Sequence, residues 1–196
     1  MASNPGPPKD APGASGTLRP GDRTFLAWVE KEADTSVSAC YQCQKCTSGC
    51  PIAAWMDHYP HQVVRMIELG MVEEVLTSRT IWLCADCKTC VTRCPNNVDI
   101  PAFMEVLKRR SQKEGRRPGE ENIPIFQKAF LDSIEKKGRM HELGMMRQYK
   151  MKSGDLFSDI KLGFSMFRKG KLKIFGGKVK GVKEIRKIFE QARKED

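Results

Sequence analysis

All eight cysteines of this 196-residue chain fall into two copies of one pattern. The first copy is CYQCQKCTSGCP, with Cys40, Cys43, Cys46 and Cys50 followed by Pro51. The second is CADCKTCVTRCP, with Cys84, Cys87, Cys90 and Cys94 followed by Pro95. Both read C-x2-C-x2-C-x3-C-P, and they repeat at an interval of 44 residues. Any fold available to this chain must present eight thiols twice over from the same local sequence.

Three cysteines at intervals of three let one tight loop offer soft thiolates to three corners of a [4Fe-4S] cube. The fourth is held away by the turn and the proline after it, and in two-cluster ferredoxins it ligates the other cube. On that reading Cys40, Cys43, Cys46 and Cys94 hold one cluster, and Cys84, Cys87, Cys90 and Cys50 hold the second. Structural zinc is the competing reading, because eight cysteines could make two four-ligand sites. Zinc, however, requires neither the third cysteine nor the x3 interval nor the proline. Disulfides fit neither the close local spacing nor a reducing compartment. Four thiolates complete each cube, so His58, His61 and His141 are not expected as ligands.

The charge is uneven. Residues 1–100 hold 9 basic and 11 acidic residues, whereas residues 101–196 hold 25 and 13. A near-neutral cysteine half therefore precedes a strongly basic half, whose field attracts acidic surfaces, nucleic acid or anionic lipid. No apolar run is long enough for a membrane-spanning helix, and the N-terminus lacks the apolar stretch of a secretory signal. The expected location is cytoplasmic.

Helical periodicity dominates the rest. Residues 1–21 are rich in Pro and Gly, with too little apolar material to offset ordering entropy, and read as a flexible tail. Phe25, Leu26 and Val29 share a helical face. Pro60 suits a first helical turn before Val63, Val64 and Ile67, and Gly70 suits the stop. Val72, Val75 and Leu76 suggest a short helix before Ser78. Asp99 can cap a helix with Pro101 in its first turn and Phe103, Val106 and Leu107 inside. Lys108, Arg109 and Arg110 are expected near its end, where cations favour the helix dipole.

Residues 116–121 read as a linker. A helix from Asn122 carries Ile125, Phe126, Ala129, Phe130 and Ile134, and Gly138 ends it. Residues 139–152 and 155–168 are weaker helical candidates, and 170–181 form a basic, turn-rich connection. Val182, Ile185, Ile188, Phe189 and Ala192 mark a final amphipathic helix. Strand signals are scarce. The expected fold is all-α: a tail over 1–21, a helical domain over 22–117 binding two [4Fe-4S] clusters, and a basic helical extension over 118–196 for subunit docking.

The two motifs with their flanks, CYQCQKCTSGCP and IWLCADCKTCVTRCPNNVDIP, resemble the C subunit of heterodisulfide reductase. The resemblance is best over about residues 24–110. It implies an electron-transfer subunit of an anaerobic complex, relaying electrons through two [4Fe-4S] clusters between a flavin-containing subunit and a catalytic subunit with cysteine-rich CCG repeats. Succinate dehydrogenase iron–sulfur subunits share the helical ferredoxin type, but no cysteines remain here for their [2Fe-2S] domain. The C subunit of anaerobic glycerol-3-phosphate dehydrogenase has cysteine-rich repeats that this chain lacks.

The chain has no CCG, no GxGxxG and no GxxxxGK[ST], and no substrate site is expected in it. Two further readings stand beside the relay: the iron–sulfur subunit of another anaerobic oxidoreductase, and a zinc-stabilised nucleic-acid binder using the basic half. Residues 168–187 hold nine basic residues and one acidic residue. Phe175 is almost their only aromatic, too little for a base-stacking platform, so a partner subunit is preferred over nucleic acid. Trp82, Leu83, Val98 and Ile100 flank the second motif and are expected to shield a cluster. Lys45, Lys88 and Arg93 place charge inside the loops.

Overall fold

The computed structural model describes residues 23–116, 118–154, 165, 168–169 and 179–195. The expected tail, most of the helical candidate at 155–168 and residues 170–178 of the basic run at 170–181 lie outside the described residues. Among the described residues every regular element is helical. The chain divides into two units, Met1–Glu121 and Asn122–Asp196.

The first unit holds α1 (Arg23–Ala33), α2 (Lys45–Ser48), α3 (Pro60–Glu68), α4 (Val72–Thr77), α5 (Arg79–Leu83), α6 (Thr89–Arg93) and α7 (Ile100–Lys113). Local chemistry sets the boundaries. The Gln62 side chain accepts a hydrogen bond from the Tyr59 N–H at 2.8 Å, just ahead of Pro60, the first residue of α3. Asp99 caps α7 by accepting from the Ala102 N–H at 3.0 Å. Gly70, with φ 67°, ends the α3 turn in the left-handed region that glycine enters without strain.

The core lies where α1, α3, α4, α5 and α7 meet. Phe25 and Val29, Val63, Val64 and Ile67, Val75 and Leu76, Ile81 and Trp82, and Phe103, Met104 and Leu107 are all buried. Each such large side chain contributes roughly 1.5–3 kcal/mol by leaving water. The buried Ser111 hydroxyl donates to the Leu76 carbonyl at 2.8 Å, so it satisfies an end of α4 rather than being stranded.

Three contacts around α7 and its sequel go beyond what the sequence indicated. The helix ends at Lys113, with Arg110 in its last turn as expected. The Arg110 guanidinium also lies over Trp28 at 4.4 Å and Phe25 at 5.3 Å, tying α7 to α1. Lys108 turns inward and donates to the Cys84 carbonyl at 3.3 Å. Nor is 116–121 a free linker throughout. Arg79 pairs with Glu120 at 3.0 Å, and a Cβ on Gly119 would sit 2.5 Å from Arg79 N and Thr77 O, so this backbone is pressed onto the α4–α5 junction.

The second unit holds α8 (Asn122–Lys137), α9 (Glu142–Ser153) and α10 (Val182–Glu195). α8 packs on both α9 and α10. Phe126 meets Tyr149 edge-on at 5.8 Å, and Gln148 donates to Asp132 at 2.6 Å. Gly138 (φ 76°) leaves room for Ile185, whose Cδ1 would lie 3.1 Å from a Cβ there. Among the described residues of this unit only Ala129 and Met145 are buried, and Ile188, expected on the apolar face, is 63% exposed. No helix among the described residues is long and apolar enough to cross a membrane.

Candidate functional site

The repeat in sequence is a repeat in backbone. Gln42 and Asp86 occupy the same place in the two motifs and have φ of 61° and 52°. Gln44 and Lys88 likewise match, with φ of 62° and 58°. Left-handed conformations at non-glycine residues are strained, and they persist where surrounding structure or function requires them. Here each pair curls the chain inward and starts a one-turn helix, α2 carrying Cys46 and α6 carrying Cys90.

Backbone donors already address two of the sulfurs. The Gln42 N–H points at Cys40 Sγ (3.4 Å) and the Val98 N–H at Cys94 Sγ (3.3 Å). Such donors stabilise thiolate charge. α2 and α6 pack on each other, the Asn96 amide donates to the Ala39 carbonyl, and the Asp99 N–H donates to Thr35 at 2.9 Å. The two loops are thus stitched together.

The thiols group across the motifs. Cys84, Cys87 and Cys90 line one pocket together with Cys50, the last cysteine of the other motif. Its remaining wall is largely apolar, with Ile52, Met56, Pro60, Ile100 and Met104 among its residues and Asp86 and Thr89 as its polar ones. Cys94 in turn comes close enough to Cys40 to act on it electrostatically, as Cys43 does, and Cys40 and Cys43 act on Cys46. Cys46 also acts on Cys90, its repeat mate, so the two groups adjoin.

Burial, followed by the charge of Cys84, raises the Cys90 thiol to about 12, with Cys46 adding to the effect. Burial likewise raises Cys40, Cys46 and Cys84. Cys87, at the surface, is lowered by its hydrogen bonds with Thr89. Buried thiols that resist ionisation in each other's company need a strongly cationic partner to become thiolates together, and metal binding drives out their protons. The donor set fits [4Fe-4S] clusters.

The flanking expectations resolve individually. Ile100 lines the pocket, and Trp82 and Val98 are buried beside the second motif. Lys88 pairs with Asp86 at 3.4 Å and Asp99 at 3.3 Å. His61 Nδ1 meets the Thr47 hydroxyl at 2.7 Å, and His141 Nδ1 caps α9 by accepting from Gly144 at 3.0 Å.

Sequence reasoning missed Asp57. Its carboxylate accepts from the Arg79 N–H (2.7 Å), the Thr80 hydroxyl (2.7 Å) and the Ser78 hydroxyl (2.9 Å), fixing the start of α5 and hence Cys84 at its end. An acidic residue between the motifs was the only signal. The inward turn of Lys108 was also invisible, because its triplet neighbours suggested a simpler role.

These features define a two-cluster, helical iron–sulfur electron-transfer protein. Residues 39–99 match the family described as a 4Fe-4S dicluster domain. The chain is 30% identical over 126 residues to the C subunit of the ferredoxin:CoB-CoM heterodisulfide reductase of Methanosarcina mazei, covering 61% of this chain and 77% of that one. It is 37% identical over 86 residues to the iron-sulfur C subunit of the CoB–CoM heterodisulfide reductase of Methanopyrus kandleri, covering 44% and 45%. With the C subunit of the Methanothermobacter marburgensis H2:CoB-CoM heterodisulfide,ferredoxin reductase the figures are 28% over 94 residues, 48% and 51%. The chain belongs to the family of heterodisulfide reductase C subunits and carries two [4Fe-4S] clusters. It spans about half the length of the Methanopyrus and Methanothermobacter relatives it matches.

Proposed function

We propose that the chain relays electrons between a flavin-containing subunit and a CCG-repeat catalytic subunit of a heterodisulfide-reductase-type complex. Its two clusters have exchanged ligands: Cys40, Cys43, Cys46 and Cys94 hold the first, and Cys84, Cys87, Cys90 and Cys50 hold the second. The observation that carries the ligand assignment is the shared pocket of Cys50 with Cys84, Cys87 and Cys90. Exchange ties the motifs into one body and brings the cubes near each other, which short-range electron tunnelling needs. The chain supplies thiolates, apolar shielding and N–H donors, and the clusters supply one-electron chemistry.

The second unit is the docking element. Support comes from the basic character of residues 101–196 and from a helical unit whose described part buries few side chains of its own. Exposed ion pairs alone would be weak and salt-sensitive, so apolar residues such as Ile188 supply burial against an acidic partner. The test is anaerobic co-purification of the full chain and of a chain ending at Glu121, which preserves the contacts of Gly119 and Glu120. The full chain should retain a flavoprotein and a CCG-repeat protein, and the shorter chain should keep its clusters but lose a partner. Equal retention by both would dismiss the docking role.

A further inference from the structure

α3 and α7 follow the two cysteine motifs and stand in matching roles. Counting from their N-caps, Tyr59 and Asp99, the ninth residue is Glu68 in α3 and Lys108 in α7. α3, which carries Glu68, packs on the turn Val37–Ala39 directly ahead of Cys40 and on α2, and from there Glu68 acts electrostatically on Cys40, the first cysteine of its motif, as Lys108 of α7 acts on Cys84, the first cysteine of the other. Lys108 Nζ reaches the Cys84 carbonyl at 3.3 Å. Each is paired with an opposite charge three residues earlier, at the same position in both helices: Arg65 with Glu68 at 2.9 Å, Glu105 with Lys108 at 3.9 Å.

The burial of these pairs decides which charge counts. Glu68 and Lys108 side chains are 15% and 13% exposed, whereas Arg65 and Glu105 are 59% and 61% exposed. The outer charges are screened by solvent, and the inner ones act through protein. Asp86 also acts on Cys84, but it is exposed and paired with Lys88. The pseudo-equivalent position therefore presents a negative charge to one cluster and a positive charge to the other.

We infer that Glu68 and Lys108 are potential-setting residues that make the Cys84 cluster the better electron acceptor and the Cys40 cluster the better donor. A reduced cluster carries one more negative charge than an oxidised one, so Lys108 favours reduction beside Cys84 and Glu68 opposes it beside Cys40. Within the chain, one electron leaves the reduced Cys40 cluster, which becomes oxidised, and enters the oxidised Cys84 cluster, which becomes reduced, with no proton required. This rests on the two-cluster reading but not on the ligand exchange, because Cys40 and Cys84 belong to different clusters either way.

The test is an anaerobic redox titration of the full-length holoprotein, with both midpoints followed by electron paramagnetic resonance. Lys108→Gln should make the higher-potential cluster about tenfold harder to reduce, or about 59 mV for one electron, and leave the other nearly fixed. Glu68→Gln should make the lower-potential cluster easier to reduce by a similar factor. Each variant narrows the gap, and Lys108→Arg preserves it. A purely structural role for Lys108 predicts no such selective shift. Should Lys108→Gln lose a cluster, Glu68→Gln and Lys108→Arg still decide. An unchanged gap in Glu68→Gln, a widened gap in either Gln variant, or a narrowed gap in Lys108→Arg overturns the assignment.

Discussion

Arg93 lies across Gly49: a Cβ placed on Gly49 would come within 2.7 Å of Arg93 Cδ and Nη1. The two residues hold the same position in their motifs, each immediately before the fourth cysteine. Where α2 meets α6, one copy of the repeat thus provides a long cation and the other the empty space it occupies. Both residues adjoin the cysteines proposed to exchange, Cys50 and Cys94.

Gly49→Ala should destabilise the holoprotein by no more than about 1 kcal/mol, because the atoms it would meet belong to the far end of the exposed, flexible Arg93 side chain, which can swing aside. In an Arg93→Ala background the same change should be nearly neutral. A double-mutant cycle by thermal denaturation reads the coupling. Additive effects would mean that the two side chains do not compete for space.

Asp57 sets a pH dependence. Burial works against its charge, but hydrogen bonds from Thr80, Arg79 and Ser78 prevail and hold its pKa below the ordinary carboxylate value. A depressed folded-state pKa stabilises the fold above the unfolded value of about 3.9, and that contribution fades as pH falls through the folded value. Asp57→Asn should lower stability at neutral pH by about 1–3 kcal/mol, the scale of hydrogen bonds to a charged group. The deficit relative to wild type should shrink at the acid end. A deficit that stays constant down to the acid limit would assign the loss to packing.

Metal content is set by two complete four-thiolate groups. Anaerobically reconstituted protein should hold about eight iron and eight sulfide per chain, and little zinc. Inductively coupled plasma analysis with a sulfide assay checks this. Two zinc ions without sulfide would restore the nucleic-acid-binding alternative.

Much of this was readable in the residues. Strong periodicity and end signals marked α3, α7, α8 and α10, because Pro60, Asp99, Gly138 and the apolar stripes act locally. The ligand spacing was equally local. α5 was not readable: it is five residues long, and its start is fixed by Asp57, more than twenty residues earlier. The matching of Glu68 with Lys108 was hidden by a change of interval. The motifs repeat every 44 residues, but the helices after them repeat at 40, because the segment from Cys94 to Asp99 is shorter than that from Cys50 to Tyr59. The stacking of Arg110 was not readable, because its partners, Trp28 and Phe25, come from a distant helix.

The proposed exchange of Cys50 and Cys94 between the clusters is open to test by cluster-resolved paramagnetic spectra of Cys50→Ala. With the Cys40 and Cys84 clusters distinguished by their own single-cysteine variants, Cys50→Ala should perturb or remove the cluster held by Cys84, Cys87 and Cys90. The cluster of its sequence neighbours Cys40, Cys43 and Cys46 should keep its signal. Loss of the Cys40 cluster with the Cys84 cluster intact would contradict the account.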